Sequence, residues 1–167
     1  TCLNRGCIPS KTLLKHAEII DGIEKAQKWG IKTENLSFSL KEMFARKDSV
    51  IATLRNGIDH LLSANKIEVY RGYGTIHDNK MVTVQMGEQK QQIYGEKIII
   101  ATGSQPVVPP IDGVDSVQYH TTDTIFNITK IPESIVIVGG GVIGVEFATI
   151  FASLKTDVTI VELGNRI

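Results

Sequence analysis

Two sulfur atoms are the first candidates for chemistry. Cys2 and Cys7 are the only cysteines among 167 residues, and they share the run TCLNRGCIPSK. A six-residue loop closed by a disulfide stabilises a fold by only about 2 kcal/mol on the loop-entropy argument, less than a long-range bridge would. In a regular α-helix the two Cα atoms would lie roughly 8–9 Å apart, beyond the span of an S–S bond, so the backbone between them must leave helical geometry. Gly6 and Pro9 make that departure cheap. A short, strained bridge is the reducible kind, which points to a redox-active dithiol. A pair of free thiols and half of a zinc site are the plainer readings. Zinc needs two more ligands, and none of His16, His60, His77 or His120 pairs with another at ligand spacing. On the pair alone, the redox and free-thiol readings both stand.

A second constellation lies near the other end. IVIVGGGVIGVE places G-x-G-x-x-G at Gly139, Gly141 and Gly144, after an apolar strand pattern and before an amphipathic helix pattern. Glu162 ends a second strand pattern about 20 residues on, as a dinucleotide-binding βαβ unit requires. Gly139 permits the tight turn, Gly141 lets backbone approach a pyrophosphate, and Gly144 lets helix and strand pack closely. The helix start offers N–H groups and a positive dipole end to phosphate. A carboxylate at Glu162 can accept ribose hydroxyls and would repel a 2′-phosphate, which favours NAD over NADP. The plainer reading is a glycine-rich turn in some other α/β protein.

These residues need elements to hold them. Positions 8–29 read as a helix with Leu13, Leu14, Ala17, Ile20, Ile23 and Ala26 on one stripe and Gly30 as its stop. A second helix is expected from Leu40 to Ala64, its stripe of Leu40, Met43, Phe44, Ile51, Leu54, Ile58, Leu61 and Leu62 serving as core despite Gly57. KIEVYRGYG reads as a short strand. MVTVQM and QQIYGEKIII read as a hairpin around the turn GEQK, followed by a buried strand running into ATGS. QPVVPPIDGV reads as a linker or crossover, and from Ile131 the pattern restarts as strand, glycine turn, helix, strand.

Composition narrows the class. Apolar residues make up 42% and Lys+Arg equals Asp+Glu at 18 each, so the chain can bury a core and carries no electrostatic case for nucleic acid or an anionic membrane. No apolar run is long enough to span a bilayer. Reactive-looking cysteines fit a reducing cytoplasm better than secretion. The chain begins at Thr1 without Met and stops at Ile167, so both ends are expected to be cuts.

TCLNRGCIPSK resembles the redox-centre signature of the pyridine nucleotide–disulfide oxidoreductases, a family of FAD flavoproteins. IIIATGS, ending at Ser104, and IVIVGGGVIGVE, ending at Glu146, match further family segments in the expected order, so the resemblance runs the length of the chain. It implies an α/β fold of Rossmann-like FAD/NAD(P)-binding domains: part of an FAD domain over 1–115 and the first βαβ unit of an NAD domain over 116–167. The wording CLNxGCIPSK is most similar to the branch that oxidises dihydrolipoyl groups, passing electrons through a Cys2–Cys7 disulfide and FAD to NAD⁺. Cys2 would then meet the substrate and Cys7 the flavin, with Lys11 and the helix start lowering thiol pKa.

By the same resemblance Lys11 lies near the flavin, Gly74 meets the adenine of FAD, and Thr102, Gly103 and Ser104 contact FAD. The stretch Gly139, Gly140, Gly141, Val142, Ile143, Gly144, Val145 and Glu146 faces the second dinucleotide. Lys11 and Glu146 are expected to form a buried ion pair near the flavin. The implied partners are the lipoyl-bearing acyltransferase of a 2-oxo acid dehydrogenase complex and a second copy of the chain in a homodimer. A first FAD fingerprint would precede Thr1, and a catalytic His–Glu pair would follow Ile167. A glutathione or mercuric reductase-like enzyme, or a non-catalytic dinucleotide-binding module, is the alternative.

Overall fold

The computed structural model describes residues 1–78 and 80–167. The chain is mixed α/β and divides into two compact units, one of Thr1–Arg55 with Gln105–Ile167 and one of Asn56–Ser104. Of the two boundaries, the one at 55/56 falls inside a helix and the one at 104/105 in irregular chain.

In the first unit the opening motif makes two helices, α1 (Cys2–Arg5) and α2 (Cys7–Ala26). The break between them is at Gly6, whose backbone (φ −124°, ψ −109°) is not helical. The departure demanded by the cysteine spacing is therefore present. α2 runs into a 3₁₀ turn at Gln27–Trp29 and ends at Gly30, whose φ of +78° is left-handed. Leu13, Ala17 and Ile20 form its buried stripe. They pack against α4 (Val142–Ser153), the helix of a β4–α4–β5 unit. β4 (Ser134–Val138) and β5 (Asp157–Val161) pair in parallel, Ser134 opposite Asp157 through Val138 opposite Val161. Ile135, Ile137 and Val158 turn toward the core, while Val136 and Val138 stay exposed.

The core of this unit comes from both ends of the sequence. Leu13, Ile20 and Met43 meet Ile125, Phe147, Ile150, Phe151 and Leu154. A run of aromatic contacts crosses it, Phe44 edge-on to Phe126 at 6.1 Å and Phe126 tilted on Phe147 at 5.9 Å. Lys47 is 8% exposed, yet it is not an orphan charge. Its Nζ lies 4.9 Å from the Phe126 ring centre and pairs with Asp48 at 2.6 Å, which offsets the desolvation of the ammonium.

α3 (Leu40–Ala64) has the expected limits but not the expected burial. Its stripe is core only at the start, with Leu40 and Met43 buried, whereas Leu54, Ile58 and Leu61 are exposed. Periodicity fixes which face of a helix is apolar, not what covers it.

The second unit holds a three-stranded antiparallel meander of β1 (Tyr73–Ile76), β2 (Met81–Met86) and β3 (Gln89–Tyr94). The β2–β3 turn is two residues, Gly87 and Glu88, with Gly87 at φ +62°. The expected turn GEQK is thus too long, because Gln89 and Lys90 already pair with Met86 and Gln85. One expected strand forms only at its end and another does not form. KIEVYRGYG is strand only from Tyr73, and 97–100 is irregular, with Ile99 89% and Ile100 71% exposed. A strand exists through its pairing, and neither 66–72 nor 97–100 has a ladder partner among the described residues.

Candidate active site

The break at Gly6 brings the two cysteines together without joining them: both are free thiols and both are exposed. A Cβ on residue 6 would lie 3.3 Å from Cys2 Cα, so a larger residue would push the first helix away. The Cys7 thiol is held above its ordinary pKa, first by its hydrogen bond with Cys2, then by burial and by the charge of Cys2. Lys11 acts in the opposite direction but is the smallest of the influences. The expectation of a lowered thiol pKa is therefore wrong for Cys7. A proton shared with a neighbouring sulfur outweighs a lysine one turn away.

Three ion pairs tie the cysteine helices to the second half of the chain. Arg5 reaches Asp123 at 3.1 Å, Lys11 pairs with Glu146 across 135 positions, and Lys155 reaches Glu24 at 2.5 Å. The Lys11–Glu146 pair is the one expected from the resemblance. It is not a buried pair, because the Lys11 side chain is 59% exposed and Glu146 18%, so it contributes on the scale of an exposed contact, ~0–1 kcal/mol. The Arg5–Asp123 tie escaped the sequence reading. Nothing local pairs positions 118 apart, and an arginine between two cysteines gives no hint of its partner.

The glycine loop is built as the fingerprint requires. Gly139 sits at φ +105° and donates its N–H to Val161 O at 2.8 Å, joining the loop to β5. A Cβ at residue 144 would lie 1.9 Å from Gly139 O, so only glycine allows this approach of α4 to β4. Gly141 is the N-cap, and no acidic side chain occupies the first turn of α4. The first N–H groups of a helix have no intrahelical acceptor, and Val142 and Ile143 at this helix start are exposed. Val145 instead bonds back to Gly141 O. A helix start of this kind is chemically suited to a phosphate group.

Glu162 lies just past the end of β5. Its Oε2 accepts the Gly140 N–H at 2.5 Å and its Oε1 the Gly164 N–H at 2.8 Å. The N–H groups of Gly164, Gly140 and Leu163 hold its carboxyl below the ordinary range, with burial opposing them.

Four of the predicted residues lie in or at the end of the second unit. Gly74 is in β1, where a Cβ would find Val82 at an ordinary 3.7 Å. The demanding glycine is Gly72, whose Cβ would lie 2.3 Å from Gln85 O, and two turn-like glycines so close in sequence gave no signal of which one mattered. Thr102, Gly103 and Ser104 form an exposed irregular stretch, with Gly103 at φ +80°. Cys2, Cys7, Lys11, the 139–146 segment and Glu162 all belong to the first unit.

Comparison with known proteins agrees with this arrangement. The family model described as "Pyridine nucleotide-disulphide oxidoreductase" matches residues 1–167. A dihydrolipoyl dehydrogenase of Acholeplasma laidlawii is 44% identical over 97% of this chain and 48% of its own length. One from Bacillus subtilis is 37% identical over the whole chain and 37% of its own length. The solved HOCl-induced flavoprotein disulfide reductase RclA of Escherichia coli superposes with a TM-score of 0.78 at 35% identity, over 99% of this chain and 34% of that one. The chain thus spans about a third to a half of these relatives. No helix among the described residues is long and apolar enough to cross a membrane. With a paired-thiol motif at one end, a dinucleotide fingerprint at the other and the family pattern running unbroken between them, this chain belongs to the pyridine nucleotide-disulphide oxidoreductase family.

Proposed function

We infer that the chain is part of a dihydrolipoyl dehydrogenase. The observation that carries this reading is the joining of the dithiol helix to the fingerprint helix, through a shared core and the Lys11–Glu146 pair. That link supports the reading, because the paired thiols and the glycine fingerprint belong to one compact unit. In the proposed reaction a dihydrolipoyl dithiol reduces the Cys2–Cys7 disulfide. One S–S bond breaks in the protein, one forms in the lipoyl group, and two protons and two electrons are transferred. In this reading Cys2 meets the substrate and Cys7 is the partner sulfur that faces the flavin, and the hydrogen bond between the two keeps the proton on Cys7. Lys11, Gly74, Thr102, Gly103 and Ser104 would hold FAD, which when bound supplies a two-electron acceptor between thiol and nicotinamide. Gly139–Gly141, the start of α4 and Glu162 would hold NAD⁺, the carboxylate disfavouring NADP⁺.

In the full-length enzyme, 1–115 belongs to the FAD domain and 116–167 opens the NAD domain. The partners are a lipoyl-bearing acyltransferase and a second copy of the chain, in the cytoplasm. The resemblance to RclA favours one competing reading, a flavoprotein reductase of another disulfide. The whole enzyme decides between them. Dihydrolipoamide should reduce NAD⁺ rapidly, NADP⁺ poorly, and Cys2→Ser or Cys7→Ser should abolish turnover. Preferential reduction of glutathione disulfide or mercuric ion would replace this reading with the competing one.

A further inference from the structure

The pattern G-x-G-x-x-G leaves its second position open, yet this chain has glycine there as well. The structure supplies a reason. A Cβ on residue 140 would lie 2.9 Å from Ile167 Cγ1, the end of a side chain that can turn aside, and 3.1 Å from Glu162 Oε2 and 3.2 Å from Glu162 Cβ. On the other side of the same carboxylate a Cβ on residue 164 would lie 3.3 Å from Oε1. Two glycines thus flank one carboxylate, and each gives it a backbone N–H, at 2.5 and 2.8 Å. Both contacts run from backbone to side chain within the chain itself, and neither needs an atom of a bound ligand to complete it.

We propose that Glu162 is a positioning residue that clamps the fingerprint loop to the end of β5 before the dinucleotide arrives, and that Gly140 is glycine so that this clamp can close. The inference rests on the dinucleotide reading given above and deepens it. An ionised carboxylate has about four lone-pair sites and no donor. Two are used by Gly140 and Gly164, and two remain for ribose hydroxyls. Clamp and ribose receptor are therefore compatible, and ordering the loop in advance lowers the entropic cost of binding. A glutamine could not do the same work, because its amide NH₂ would face one of the two N–H groups.

The test is amide hydrogen exchange of the full-length, FAD-loaded enzyme without NAD⁺, read on peptides covering 138–145 and 162–166, alongside NAD⁺ affinity. In Glu162→Ala both peptides should exchange faster by about tenfold or more, the scale of losing a charge-assisted hydrogen bond. Gly140→Ala should speed exchange in the same peptides and weaken NAD⁺ binding, although its carboxylate is intact. Should Glu162→Ala fail to fold, Glu162→Gln carries the test and should deprotect at least one of the two peptides. Exchange within about twofold of wild type would overturn the clamp, even if NAD⁺ affinity falls, since Glu162 would then be a ribose ligand only. Faster exchange with NAD⁺ affinity unchanged would uphold the clamp and remove the dinucleotide reading of the loop instead.

Discussion

A thiol next to a second thiol is governed by that neighbour before any lysine. Cys7 shows this, because hydrogen bonding and charge from Cys2 push its pKa up while Lys11 pulls it down more weakly. The two influences have opposite signs and can be separated by substitution. Cys2→Ala should move the alkylation profile of Cys7 to lower pH, since both the hydrogen bond and the charge that hold its proton are gone. Lys11→Met should move the profile to higher pH by a smaller amount, because the remaining favourable charge is lost. Iodoacetamide rates at Cys7 as a function of pH, in the reduced full-length enzyme, measure both. A shift of the same sign in the two variants would contradict this ordering. The residue types of the motif announced a redox pair, but the direction of the Cys7 shift was not legible in them. It depends on which sulfur ionises against which, and sequence spacing does not state that.

At the scale of elements, glycine positions separate steric demand from composition. Gly72 and Gly74 flank Tyr73, at the start of β1, and only one is sterically fixed. Gly72→Ala puts a methyl 2.3 Å from Gln85 O, which is backbone and cannot swing away, so it should cost roughly 1–3 kcal/mol. Gly74→Ala meets Val82 at 3.7 Å and should be neutral or stabilise by up to about 1 kcal/mol through backbone entropy. Denaturant unfolding of the two variants checks the difference in sign. If Gly74 also contacts FAD as proposed, its variant should unfold no sooner and yet bind FAD less tightly. The sequence read α2, α3, α4, β2, β4 and β5 well, because each has a sustained period, a stop or a cap of its own. The 97–100 strand and the far half of the α3 stripe were misread for one reason. Their apolar residues signal that something packs on them, but the alternation carries no information about the partner. Ile99, Ile100 and Leu61 are consequently exposed.

Across the whole molecule, the cysteine helix and the fingerprint helix behave as one packed body. Leu13 and Ile20 of α2 lie in the same cluster as Phe147, Ile150 and Phe151 of α4. Ile150 is 2% exposed and touches neither the thiols nor the glycine loop in sequence. Ile150→Ala should cost about 2–5 kcal/mol and Ile150→Val about 1 kcal/mol, the usual scale for truncating a buried isoleucine. The more telling consequence concerns function. If α2 and α4 share one core, loosening it at Ile150 should raise the reactivity of Cys2 and Cys7 and weaken NAD⁺ binding together, in proportion to the stability lost. The salt bridge alone cannot produce that coupling, since an exposed pair contributes only ~0–1 kcal/mol. Lys11→Met should therefore leave global stability nearly unchanged while Ile150→Ala lowers it. Thermal unfolding, thiol alkylation and NAD⁺ titration on these variants of the full-length enzyme measure the three responses. Independent responses of thiols and dinucleotide site in Ile150→Ala would show that the two chemistries are carried by separately folding parts, and that the shared core is not what joins them.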